Sequence, residues 1–139
     1  MNCTEVKDAF VKTLTEEAQT SYCEMLFTRE SSEDPGGPKT VDVANIFLSF
    51  AYSDNFMGVI QSLNYFLESK LAYEHKSIFI WISMFSVDQN KAAELTMEWW
   101  SGTFKRSIGR IGYVVTVALP WKNPTLTRAW CLLGDILYN

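Results

Sequence analysis

From residue 43 onward the chain alternates three times between a short, nearly unbroken apolar run and a longer stretch of helical periodicity. The apolar runs are residues 43–50 (VANIFLSF), 77–82 (SIFIWI) and 112–119 (GYVVTVAL). Runs of this length and composition suit strands covered on both faces, as in parallel sheets. Between the first two runs, Phe56, Val59, Ile60, Leu63, Leu67 and Leu71 recur at steps of three and four, the signature of an amphipathic helix. Ala93, Met97, Trp100, Phe104 and Ile108 form the stripe of a second helix. In a third, Asn123 caps, Pro124 takes the first position, and Leu126, Trp130, Leu133 and Leu137 supply the buried face. A βαβαβα order predicts an α/β fold with a short parallel sheet and right-handed crossovers. The helical aromatic stripes are assigned to the core.

The residues before this pattern read differently. Thr4 is a helix cap, Glu5 suits a first turn, and Val6, Phe10 and Leu14 fall at helical spacing, which predicts a helix over residues 4–27. Residues 29–38 (RESSEDPGGP) have almost nothing to bury and read as a flexible connector. The expected organisation is an N-terminal helical segment over 1–28, a linker over 29–40, and an α/β domain over 41–139.

Size and charge narrow the function classes. At 139 residues, one core is expected. Five Trp and nine Phe within a 47% hydrophobic composition exclude general disorder. A net charge of −4 offers no general attraction to nucleic acid or anionic lipid. The local cluster Lys105, Arg106 and Arg110 reads as a solvated helix end. No apolar stretch approaches the roughly 20 residues that span a bilayer. Cys3, Cys23 and Cys131 match no zinc or redox spacing, and their odd number suits reduced thiols in a cytoplasmic setting. The triplet Asn2-Cys3-Thr4 fits a glycosylation acceptor, but no secretory leader accompanies it.

Open parallel sheets bind ligands beyond the carboxyl ends of their strands. Three segments answer that description: 49–54 (SFAYSD), 83–90 (SMFSVDQN) and 120–124 (PWKNP). Their hydroxyls, carboxylates, amide and aromatic faces suit a nucleotide, although Ser53 or Asp54 and Asp88 sit where helix caps are expected and capping is the better explanation of them. No glycine-rich phosphate loop is present, because Gly102, Gly109 and Gly112 do not link a strand to a helix. The lone His75 sits in a polar turn away from this end, so a His-based triad and a metal centre are both unsupported.

These residues also resemble a family. The segment 43–52 (VANIFLSFAY) is similar to the opening strand of Toll/interleukin-1 receptor (TIR) domains, and 128–132 (RAWCL) resembles their Trp-Cys-Leu helix. The likeness is strongest to TIR-like modules of large multidomain proteins in protists, algae and some animals. It rests on 79–90 (FIWISMFSVDQN) and 120–132 (PWKNPTLTRAWCL) and covers about residues 41–136. The resemblance implies a flavodoxin-like, three-layer fold, homo-oligomers or assembly with other TIR-like domains, and in catalytic members cleavage of NAD+ at the nicotinamide–ribose bond. It implies pocket positions at Ser49, Phe50, Tyr52, Trp81, Ser83, Phe85 and Trp130.

The implied chemistry needs a glutamate on the Trp-Cys-Leu helix, to hold the ribose and stabilise the oxocarbenium-like charge as nicotinamide leaves. Gly134 stands at that position. Asp135 follows, but one helical residue turns a side chain by about 100°. Ser83, Phe50 and Asn90 also replace residues that relatives often carry as Asp, His and His. The expectation is a signalling or interaction module with a degenerate NAD+ pocket. Two alternatives stand beside it: an NAD+ hydrolase using Asp135, and a non-catalytic nucleotide-binding domain. The helical repeat ends where doubly wound sheets usually add strands, so an uncovered edge and self-association are expected.

Overall fold

The structure is a computed structural model that describes residues 1–70 and 77–119. The expected third helix, with Trp130, Cys131, Gly134 and Asp135, lies outside the described residues, as do His75, Leu71 and the segment 120–124.

Each apolar run contributes a parallel strand, shorter than the run itself. These are β1 (Ile46–Ser49), β2 (Ile80–Trp81) and β3 (Val114–Thr116), ordered β2-β1-β3. Ile46 pairs with Ile80, and Phe47 lies opposite both Trp81 and Val114. β1 is central and buried along its whole length. Between the strands run α4 (Phe56–Lys70) and α6 (Met97–Ile111).

Alternation along β1 divides the core in two. Ile46, Leu48 and Phe50 cluster with Val59 and Leu63 of α4 and with Val115 and Val117. Phe47 points the other way, stacked on Trp81 at 4.7 Å and meeting Phe104 of α6 edge-on at 5.8 Å. The sheet is thus covered by α4 on one face and α6 on the other, an α/β arrangement.

Local chemistry sets the helix limits. Asn55 Oδ1 accepts the Gly58 N–H at 3.0 Å at the start of α4, a capping role expected of Ser53 or Asp54. Thr96 Oγ1 accepts from Trp99 N–H at the start of α6, so Ala93 falls outside that helix, in a 3₁₀ turn over Ala92–Glu94. Asp88 begins no helix; it closes a turn by accepting from Asn90 N–H. α6 ends at Gly112, whose left-handed backbone (φ 78°) suits glycine at a helix terminus. A short helix, α5 (Ser83–Ser86), opens directly after β2, where a loop is expected from the sequence.

The helix expected over 4–27 is two. The first runs through α1 (Cys3–Val6), a π-turn (Lys7–Val11) and α2 (Lys12–Thr15) without leaving right-handed helical geometry. Asn2 caps it in a reciprocal box with Glu5, in place of Thr4. A turn with Gln19 at φ 51° follows, and Ser21 caps α3 (Tyr22–Glu33), which continues past residue 28 into the stretch expected as connector. Cys3 and Val11 belong to the same buried cluster as β1. The N-terminal helix and the sheet share one core.

Candidate functional site

β1 ends at Ser49, and the chain turns through residues 51–54, with Asp54 Oδ2 accepting the Ala51 N–H at 3.2 Å. That turn carries Tyr52 across the end of the sheet. Beyond β2, α5 begins at Ser83, and the Tyr52 hydroxyl and Ser83 Oγ stand 2.9 Å apart. This bond ties the loops that follow the two neighbouring strands. Gln89, itself buried, donates from Nε2 to the carbonyls of Ser83 and Val87 at 3.0 Å each, which stiffens the second loop.

These groups open into a cleft of about 520 Å³. Tyr52, Ser83 and Gln89 form its polar floor, and Trp100 and Phe104 of α6 give it aromatic walls. The remaining side comes from the N-terminal helix, through Thr4, Lys7 and Lys12. The Lys7 ammonium lies 5.5 Å from the Tyr52 ring centroid, a cation–π distance. Among the described lining residues there is no carboxylate, histidine or cysteine.

The N-terminal helix is fastened to this end of the sheet at both its ends. Cys3 N–H donates to Asp54 O at 2.9 Å, Thr4 N–H to Tyr52 O at 3.0 Å, and Phe56 N–H to Met1 O at 3.1 Å. At the other end Asn90 Nδ2 donates to Lys12 O at 3.3 Å and to Thr15 Oγ1 at 3.0 Å. Burial pushes the Cys3 thiol up to about 11, and the nearby Asp54 carboxylate adds to the rise. Burial also raises the Cys23 thiol, against a contact with Ser86 that lowers it. Both thiols are free.

The expected site residues divide into groups. Tyr52 and Ser83 meet in the cleft. Ser49 and Phe50 are buried behind it, Phe50 stacked on Tyr52 at 5.3 Å and Ser49 O accepting from Val117 N–H. Trp81 sits edge-on to Phe104 at 5.7 Å and borders a separate cleft of about 230 Å³. Phe85 turns to Tyr22 of α3 at 5.7 Å. Trp130, Gly134 and Asp135 lie outside the described residues. Gln89 belongs to the expected segment 83–90, whereas Lys7, Lys12 and Trp100 are not among the expected site residues. Trp100 and Phe104 belong to a stripe that helical periodicity assigns wholly to the core.

The arrangement can bind more readily than it can react. Hydroxyls and an amide suit ribose-like donors and acceptors, and the indole and phenyl faces suit a flat ring. Among the described residues no helix is long and apolar enough to cross a membrane, and no group of His, Cys, Asp and Glu is placed to hold a metal ion. Compared with protein-family models, curated proteins and solved structures, the chain matches none.

Proposed function

We propose that this chain is a TIR-like module that binds a nucleotide of the NAD+ type beyond the carboxyl ends of its strands, does not cleave it, and acts through self-association. One observation carries the reading: the Tyr52–Ser83 hydroxyl pair faces a cleft walled by Trp100 and Phe104 with no carboxylate among its described lining. The order β2-β1-β3 agrees with the first three strands of the flavodoxin-like order, which supports the resemblance. Cleavage of the nicotinamide–ribose bond needs a negative group beside the developing cation. Gly134 has no side chain for that role, and Asp135 stands one residue further along the sequence. An intracellular setting fits the free thiols of Cys3 and Cys23.

Calorimetric titration with NAD+, run beside an assay of nicotinamide release, tests this. Binding is expected, with no release above the protein-free rate. Tyr52→Phe and Ser83→Ala should each weaken binding by about three- to tenfold, the worth of one hydrogen bond. Nicotinamide release that disappears in Asp135→Asn would replace the reading with that of a hydrolase. Release gained in Gly134→Glu supports a degenerate pocket. Light scattering that stays monomeric at every concentration removes the self-association.

A further inference from the structure

Two lysines that ordinary helical spacing would separate stand together at the cleft. Lys7 and Lys12 are five residues apart, which in an α-helix sets side chains about 140° apart around the axis. Here the Lys12 N–H donates to the Lys7 carbonyl, closing the π-turn. Residue 12 therefore falls beneath residue 7, much as residue i+4 does in an α-helix. Both side chains line the cleft. Both ammonium groups reach Asp8 Oδ1, at 3.4 Å from Lys7 and 2.9 Å from Lys12. One carboxylate between two ammoniums leaves an excess of positive charge, in a chain whose net charge is −4. The Lys7 side chain is only 20% exposed, so it is not a freely solvated surface lysine. π-turns are rare and concentrate at functional sites.

We propose that the π-turn builds a phosphate clamp: Lys7 and Lys12 hold the phosphate groups of a ligand whose neutral part rests on Tyr52, Ser83, Trp100 and Phe104. The clamp deepens the nucleotide reading by naming the ligand's charged half, and it rests on that reading only for the neutral half. Lysine suits this task as a compact charge with several donors. The fastening of the helix at Tyr52 and Asn90 holds both ammoniums in position before a ligand arrives. Asp8 occupies them in the free protein and is displaced as the competing anion.

Calorimetry on the full chain with inorganic pyrophosphate, ADP and adenosine separates the possibilities. Pyrophosphate and ADP should weaken by about tenfold or more in the Lys7→Gln/Lys12→Gln double variant, with adenosine changed less than about twofold. Asp8→Asn should tighten ADP several-fold, a gain that misfolding cannot produce. ADP binding unchanged in the double variant overturns the clamp and leaves the nucleotide reading standing. Lysine-dependent pyrophosphate binding without adenosine binding keeps the clamp and removes the nucleotide. Failure of the unmodified chain to bind either pyrophosphate or ADP removes the clamp.

Discussion

The sheet and the N-terminal helix share a core but are held in it by different forces. The sheet is held by apolar burial: Leu48, Val59, Leu63 and Val115 are all nearly inaccessible. The helix over residues 3–15 buries Cys3, Val11 and Thr15, leaves Phe10 and Leu14 half exposed, and is tied down by hydrogen bonds to Tyr52, Asp54 and Asn90. Apolar burial is cooperative and spread over many contacts, whereas a few polar bonds can open together. The helix is therefore expected to be the part that opens first, and it is the part that carries the lysines of the cleft.

The largest expected effect tests that contrast directly. Leu48→Ala removes a fully packed side chain from the central strand and should cost about 3–5 kcal/mol. Phe10→Ala on the N-terminal helix should change stability by less than about 0.5 kcal/mol, because the residue is 53% exposed. Chemical denaturation of both variants measures the difference. Equal losses would mean that the two halves are held alike.

Alkaline pH reaches the helix through Cys3. Its thiol is fully buried and raised from near 9 to about 11, so between those values the unfolded chain releases a proton that the folded chain keeps. The unfolded state binds fewer protons there, so stability falls as pH rises. The loss present by pH 11 should be roughly 1–3 kcal/mol, since a tenfold difference in acid strength is worth about 1.4 kcal/mol. Unfolding curves at pH 8 and pH 10.5 should show a slope that is reduced in Cys3→Ala, the raised Cys23 thiol supplying part of what is left. An identical slope in the variant would place the titrating group elsewhere.

The same contrast explains what is legible from the amino acids alone. Runs such as 43–50 announce buried strands because nearly every residue is apolar, and β1 lies within that run. The parallel pairing and the placing of Tyr52 and Ser83 at one end follow from the alternation of strands and helices. The N-terminal contribution is hidden for a physical reason. Its attachment is made largely by backbone groups of Met1, Cys3, Thr4 and Lys12, which every residue type carries, with the Thr4 and Thr15 hydroxyls beside them. Lys7 and Lys12 are hidden by the π-turn, since α-helical geometry puts them on different faces. The exposed, polar stretch after residue 28 reads as linker, yet α3 extends to Glu33 with too few apolar residues on any one face to signal a helix.

Asn90 tests the attachment without touching the core. Asn90→Ala removes the donor to Lys12 O and Thr15 Oγ1 and leaves the buried Thr15 hydroxyl with only its own helix as partner. The expected cost is about 1–2 kcal/mol. Hydrogen exchange should quicken over residues 3–15 and stay unchanged in β1. Faster exchange in both regions would show that helix and sheet open as one unit.

Asp8 gives the smallest effect and the finest probe of the helix surface. Its carboxyl is held below the usual range, chiefly by the hydrogen bond from Lys12 and further by the charges of Lys7 and Lys12, with slight desolvation opposing them. A depressed folded value means that the unfolded chain binds the proton first. The contribution is then present above the ordinary carboxylate value near 4 and is lost as pH falls through the folded value. Because the side chain is 48% exposed, solvent screens the pair and the effect should be only a few tenths of a kcal/mol. Denaturation at pH 7 and pH 3 should show wild type losing that much more than Asp8→Asn. Saturating pyrophosphate should reverse this difference between the two proteins at neutral pH, because a ligand that takes both ammoniums leaves Asp8 only as a like charge beside the anion; a wild-type advantage that persists would mean that the lysines never leave Asp8.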